Sequence, residues 1–177
     1  MEIWQWIVGI FVTLVALGAL GLSLYLFITP GSAPATPISF GSLSNSTFQS
    51  VVVPNGTPTV IPFTDEGSIW NMTTDLNKVT VQTKGVYQVT FRMTGGSYGP
   101  SVLAFYHNDT LTRPEVARVN GVAQGSTFAL SRIMYLSPGD AISVKATPVN
   151  EEDCTLNMDD AQLSVVWIGP YDGSLTG

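Results

Sequence analysis

The sequence predicts an all-β domain, a sandwich or jelly roll, behind one N-terminal transmembrane helix. Three observations lead there: an uncharged apolar run close to Met1, period-two alternation repeated from Phe48 onward, and turn signals separating the alternating runs.

The helix comes first. No charged residue occurs from Ile3 to Thr64, and Trp4 to Ile28 is apolar apart from Gln5, Thr13 and Ser23. At about 1.5 Å per residue this run spans roughly 37 Å, enough for a hydrocarbon layer of about 30 Å with some tilt. Trp4 and Trp6 at one end and Tyr25 at the other sit where amphipathic rings prefer the water interface. Pro30 and Gly31 stop the helix. Gly9, Thr13, Ala16 and Ser23 fall near one stripe, a small-residue seam of the kind that lets membrane helices pack closely, although such residues are common in any span. Ala33-Pro34-Ala35 offers a signal-peptidase pattern, but no basic residue precedes the run and the run outlasts the roughly 7 to 15 residues of a cleaved signal. A retained anchor is therefore expected. Its orientation stays open, because the first basic residue is Lys78.

Residues 1–30 are thus read as anchor, 31–44 as a tether rich in Pro, Ser and Gly, 45–170 as the β domain and 171–177 as a tail. The Pro-rich part of the tether, residues 31–40, reaches at most about 30 Å, so the domain is expected to ride close above the bilayer.

Within the domain, Tyr87, Val89, Phe91 and Met93 alternate with Gln88, Thr90 and Arg92, as in a strand with one buried face. Leu103 and Phe105 repeat the pattern. Ile142, Val144 and Ala146 alternate with Ser143 and Lys145; Ala161, Leu163, Val165 and Trp167 alternate with Gln162, Ser164, Val166 and Ile168. The punctuation is Asn55-Gly56, Lys84-Gly85, Gly95-Gly96, Asn120-Gly121 and Pro138-Gly139-Asp140. About eight short strands are expected. Val166 and Ile168 put apolar side chains on the face opposite the core, which marks them as candidate subunit-interface residues, with coverage by the same domain as the alternative.

Composition removes several functions. Lys+Arg number 7 against Asp+Glu 13, a net charge of -6 with no basic run, so the footprint of nucleic-acid binding is missing. The lone Cys154 can close no intrachain disulfide and build no cysteine zinc site. Gly95-Gly96-Ser97-Tyr98-Gly99 fits the nucleophile-elbow pattern, but Pro100 and a β-patterned run follow where a helix is required, and the single His107 has no acid between itself and Ser97. The reading is a glycine-rich loop and a protein that is not an enzyme. Glu151, Glu152, Asp153, Asp159 and Asp160 crowd a stretch expected to be a loop between strands; they are weak calcium candidates against the default of a solvated acidic loop. No cofactor is expected. Sequons stand at Asn45, Asn55, Asn71 and Asn108.

The segments Val60-Ile61-Pro62-Phe63-Thr64, Val79 to Val89 with its Gly85-Val86-Tyr87, Leu136 to Val144 with its Leu-x-x-Gly-Asp turn, and Leu163 to Gly169 resemble the jelly roll of tumour necrosis factor and of the globular heads of the first complement component. The resemblance covers about residues 45–170. It implies a ten-stranded sandwich that trimerises and binds receptors or other ligands, in a chain that here lacks a collagen-like stem or coiled coil.

The function expected is structural: a membrane-anchored single jelly roll of a membrane-containing virus or phage, packing beside other capsid or envelope proteins. The short tether, the low charge and the architecture motivate it. The alternative is a cell-surface trimeric ligand or adhesin that binds a receptor or glycan; a filament subunit is the third reading. The partners expected are a lipid bilayer and further copies of the chain in a homo-oligomer, a trimer or larger, with the protein a single-pass membrane protein of the virion or else of the cell surface.

Overall fold

Alternation becomes strand wherever one face has a core to meet. The computed structural model describes residues 38–120, 124–150 and 152–170, with 113–117 and 120 described by their backbone alone. The expected anchor, including Trp4, Trp6, Gly9, Thr13, Ala16, Ser23 and Tyr25, lies outside the described residues, as do Glu151 and the tail. Among the described residues no helix is long and apolar enough to cross a membrane.

Among the described residues twelve strands follow in order: β1 Phe40–Asn45, β2 Gln49–Val53, β3 Thr59–Val60, β4 Asp65–Trp70, β5 Met72–Thr74, β6 Lys78–Val81, β7 Gly85–Tyr98, β8 Pro100–His107, β9 Thr110–Asn120, β10 Ser126–Leu136, β11 Ala141–Pro148 and β12 Cys154–Gly169. They form two antiparallel six-stranded sheets. One runs β10-β7-β12-β1-β4 with β2 also on β12; the other runs β5-β6-β11-β8-β9 with β3 on β11. Consecutive strands repeatedly change sheet, the winding of a jelly roll. The inward rows make the core: Leu43, Tyr87, Phe91 and Leu163 from the first sheet meet Leu103, Phe105, Ile142 and Val144 from the second, all of them buried. Phe63 meets Phe91 edge to face at 6.5 Å between ring centres, a favoured aromatic geometry.

The two motifs behind the resemblance have visible causes. A Cβ on Gly85 would lie 2.1 Å from the Trp167 indole nitrogen, so the glycine is what lets the β12 tryptophan close over the start of β7. Two residues on, Tyr87 is fully buried and its hydroxyl donates to the Thr83 carbonyl at 2.5 Å. Burial pushes its pKa up. In the Leu-x-x-Gly-Asp turn, Gly139 takes φ 93°, and Asp140 accepts from the Ser137 amide at 2.8 Å and the Asn108 side-chain amide at 2.8 Å, with His107 Nε2 at 3.1 Å. The turn thereby clamps the β8–β9 hairpin to the β10–β11 connection.

Burial works to raise the Asp140 pKa, but the Ser137, Asn108 and His107 donors outweigh it and hold the carboxyl below its usual value. A depressed folded-state pKa contributes stability that is complete above the unfolded value of about 3.9 and is lost as pH falls through the folded value. Asp140→Asn is therefore expected to lower stability by about 1.5 to 3 kcal/mol at pH 7. The urea midpoints of variant and parent should differ at pH 7 and converge at an acid pH below the folded-state value. An equal gap at both pH values would refute the role of the charge.

Three expectations need correction. The tether does not extend to residue 44: β1 begins at Phe40 and pairs with both β12 and β4. Its alternation was hidden because Gly41 and Asn45 occupy inward positions with Leu43, and neither is apolar by side chain. Gly95 and Gly96 are not a loop but lie within β7, opposite Met158 and Asn157 of β12. The count of strands is also higher than expected, since β1 and the exposed edge strand β4 carry no apolar alternation to reveal them.

Candidate interaction surface

The outer face of the β10-β7-β12-β1-β4 sheet is built by register. Ile133 pairs with Gln88, Gln88 with Val166, Val166 with Phe40, and Phe40 with Trp70. These five residues form one continuous row across five strands. All point away from the core, because their strand neighbours Tyr87, Val165 and Met134 point into it. Ile133 is 65% exposed and Trp70 59%. Tyr135, paired with Val86, and Ile168 extend the apolar zone towards the end of the sandwich where Ile38 stands.

Successive rows, about 7 Å apart, become more polar. Ser131, Thr90, Ser164 and Ser42 make a row of small hydroxyls. Beyond it stand Ala129, Arg92, Gln162, Ser44 and Asp65, and then Thr127, Thr94 and Asp160, with Arg92 paired to Asp160 at 2.9 Å. A shallow depression of about 280 Å³ lies over Thr90, Arg92, Ala129, Ser131 and Gln162.

The opposite outer face is capped by charge. Lys145 Nζ sits 4.7 Å above the Tyr106 ring and 2.8 Å from Asp109, which lowers the Asp109 pKa by hydrogen bonding first and by charge second. An apolar groove of about 300 Å³ lies beside it, between Val102, Leu111 and Val149. Among the described residues the first face has one comparable cap, Lys84 Nζ at 5.6 Å from the Tyr135 ring, and Ile133, Val166 and Trp70 of its row are exposed. An exposed apolar row of this sort is a candidate interaction surface.

Val166 and Ile168 both stand on this open face, 41% and 48% exposed. Sequence alternation located them; Ile133, Phe40 and Trp70 were missed, because only register joins them to the row. The acidic candidates are dispersed rather than gathered. Asp153 accepts the Asn55 amide at 2.8 Å in a connection, whereas Asp159 and Asp160 lie on β12, where Asp159 accepts from Gln124 at 3.1 Å. Five or six extended residues separate Asp153 from that pair by about 20 Å. Glu152 stays exposed beside Asp153, and no group of possible metal ligands forms among the described residues.

Ser97 is buried near the β7–β8 turn, where its hydroxyl donates to the Gly99 carbonyl. His107 ends β8, eight extended residues or about 25 Å beyond that turn. No proton relay can link them. The Cys154 thiol is buried, and burial raises its pKa. Of the sequons, Asn45 is fully buried, Asn71 donates to the Ile38 carbonyl at 2.9 Å and Asn108 to Asp140.

In sequence, no family model and no curated protein matches the chain. Solved structures match its fold. The structure of Eiger TNF from S. frugiperda aligns with 80% of this chain and 99% of its own length at 13% identity, with a TM-score of 0.61. The globular domain of zebrafish complement 1qA protein aligns with 75% of this chain and 99% of its own length, also at 13% identity, with a TM-score of 0.54. The fold is therefore the jelly roll that the Gly-Val-Tyr strand and the Leu-x-x-Gly-Asp turn suggested.

Proposed function

We propose that this chain is a membrane-anchored, non-enzymatic binding protein that assembles as a trimer through the outer face of its β10-β7-β12-β1-β4 sheet and presents the opposite end of the sandwich to a receptor or glycan. The row Ile133, Gln88, Val166 and Phe40 carries the assembly reading. An apolar band grading into small hydroxyls has the composition of an interface core with its polar surround. The anchor reading rests on the uncharged run from Trp4 to Ile28. At the far end Tyr98 is 74% exposed and shares a row with Thr155 and Val52, an aromatic surface suited to a sugar ring or a partner loop.

Ile133→Asp combined with Val166→Asp is expected to convert the trimer to monomer in mild detergent while circular dichroism stays unchanged, since both side chains leave the core untouched. A native mass equal to that of the parent would exclude this face.

The low charged fraction, 11% of residues, favours a second reading, the packing of this domain beside other jelly rolls in a virion above a lipid layer. The similar structures, a TNF and a complement globular domain by name, favour the ligand reading. Native protein recovered with lipid, nucleic acid and a major capsid protein would reverse that order.

A further inference from the structure

We propose that the end of the sandwich bearing Ile38, Trp70 and Ile168 rests on the lipid bilayer, with the Trp70 indole in the headgroup region. The inference deepens the anchor reading and rests on it.

Three chain segments are tied together at this end. Ser39 Oγ donates to the Asn71 carbonyl at 3.1 Å, Asn71 Nδ2 donates to the Ile38 carbonyl at 2.9 Å, and the Trp167 amide donates to the Ser39 carbonyl at 2.8 Å. Asn71 adopts φ 53°, the left-handed turn that directs β4 back into β5 and leaves Trp70 at the corner. Ile38, Trp70 and Ile168 are thus held on a fixed platform, 65%, 59% and 48% exposed. Both ends of the described chain, Ile38 and Pro170, leave from here.

The chain before Ile38 names the occupant. The apolar run ends at Ile28, and ten steps that include Pro30, Pro34 and Pro37 lead from it to Ile38. At about 3.1 Å per residue in a proline-rich extended segment, they reach roughly 31 Å. An eleven-residue strand such as β10 is itself about 36 Å long. The tether therefore joins the domain at its Ile38 end, a strand's length from Tyr98, and is itself no longer than the domain.

The charges at this end do not oppose contact. Asp140 is held by Ser137, Asn108 and His107, Asp109 is paired with Lys145, and Lys84 lies over the Tyr135 ring. Tryptophan and tyrosine beside aliphatic residues are the side chains that settle at a membrane–water interface. At the β4 edge of the sheet, Trp70 stands clear of the Ile133–Val166 centre assigned to the second copy.

The test uses the full chain in phosphatidylcholine vesicles with acyl chains brominated close to the headgroup. In a Trp4→Phe, Trp6→Phe background, the Trp70 signal is the difference in emission between protein with and without Trp70→Phe. About a twofold loss of that signal on bromination is expected, with no loss for a Tyr98→Trp reporter at the other end. An unquenched Trp70, while Trp4 and Trp6 of the parent are quenched by the same headgroup-proximal bromines, would overturn the contact and leave the anchor standing. Unquenched Trp4 and Trp6 would overturn the anchor and the contact with it. A Trp70 signal that shifts only with self-association would assign this corner to a second copy, and the lipid contact would fall.

Discussion

Gly95→Ala is expected to destabilise the domain by about 3 kcal/mol or more, the upper range for overpacking a closed site. A Cβ at Gly95 would lie 2.0 Å from the Asn157 carbonyl oxygen and 3.0 Å from the Met158 Cα, so the collision is with backbone that no rotamer change can relieve. The register of β12 against β7 shifts between Met158 and Asp160, immediately beside this contact. A glycine in a strand interior marks such a bulge or close approach. Gly169→Ala supplies the control, because a Cβ there meets nothing within 4 Å. Urea midpoints for the two variants check the claim; similar values would mean that β12 yields at the bulge without cost.

Asn45→Ala should cost about 2 to 4 kcal/mol, from a small void plus unsatisfied partners. Asn45 is fully buried, donates to the Pro62 carbonyl at 2.8 Å and to Gln49 Oε1 at 3.2 Å, and accepts the Thr64 amide at 2.6 Å. It pins the segment leaving β3 to the end of β1. Hydrogen exchange at Thr64 should accelerate beyond the global loss of stability, a local effect that mere cavity formation would not produce. A loss below about 1 kcal/mol would mean that water replaces the amide. The same burial bars Asn45 from glycosylation in the folded protein, although its sequon is intact.

Alternation carried β7, β11 and β12 because their inward residues are large and apolar, and Tyr87, Phe91, Val144 and Leu163 are all fully buried. The strands that escaped notice have chemistry that alternation cannot register. Strand β1 turns Gly41 inward, where a Cβ would stand 2.9 Å from Met72 Sδ, and it uses Asn45 as a buried polar tie. Strand β4 is an edge, with Asp65 and Glu66 exposed, and sets only Ile69 against the core. Gly95 and Gly96 look like a loop until β12 lies across them.

From residue order alone came the all-β class, the jelly-roll type, the apolar run at the N terminus and two members of the open face, Val166 and Ile168. These depend on periodicity within single strands and on local turn chemistry. The row from Ile133 to Trp70, the dispersal of the acids from Asp153 to Asp160, and the separation of Ser97 from His107 depend on which strands lie side by side and in what register. Register is a contact between residues as much as 126 positions apart, Phe40 and Val166, and it is settled by the burial of both inner faces at once.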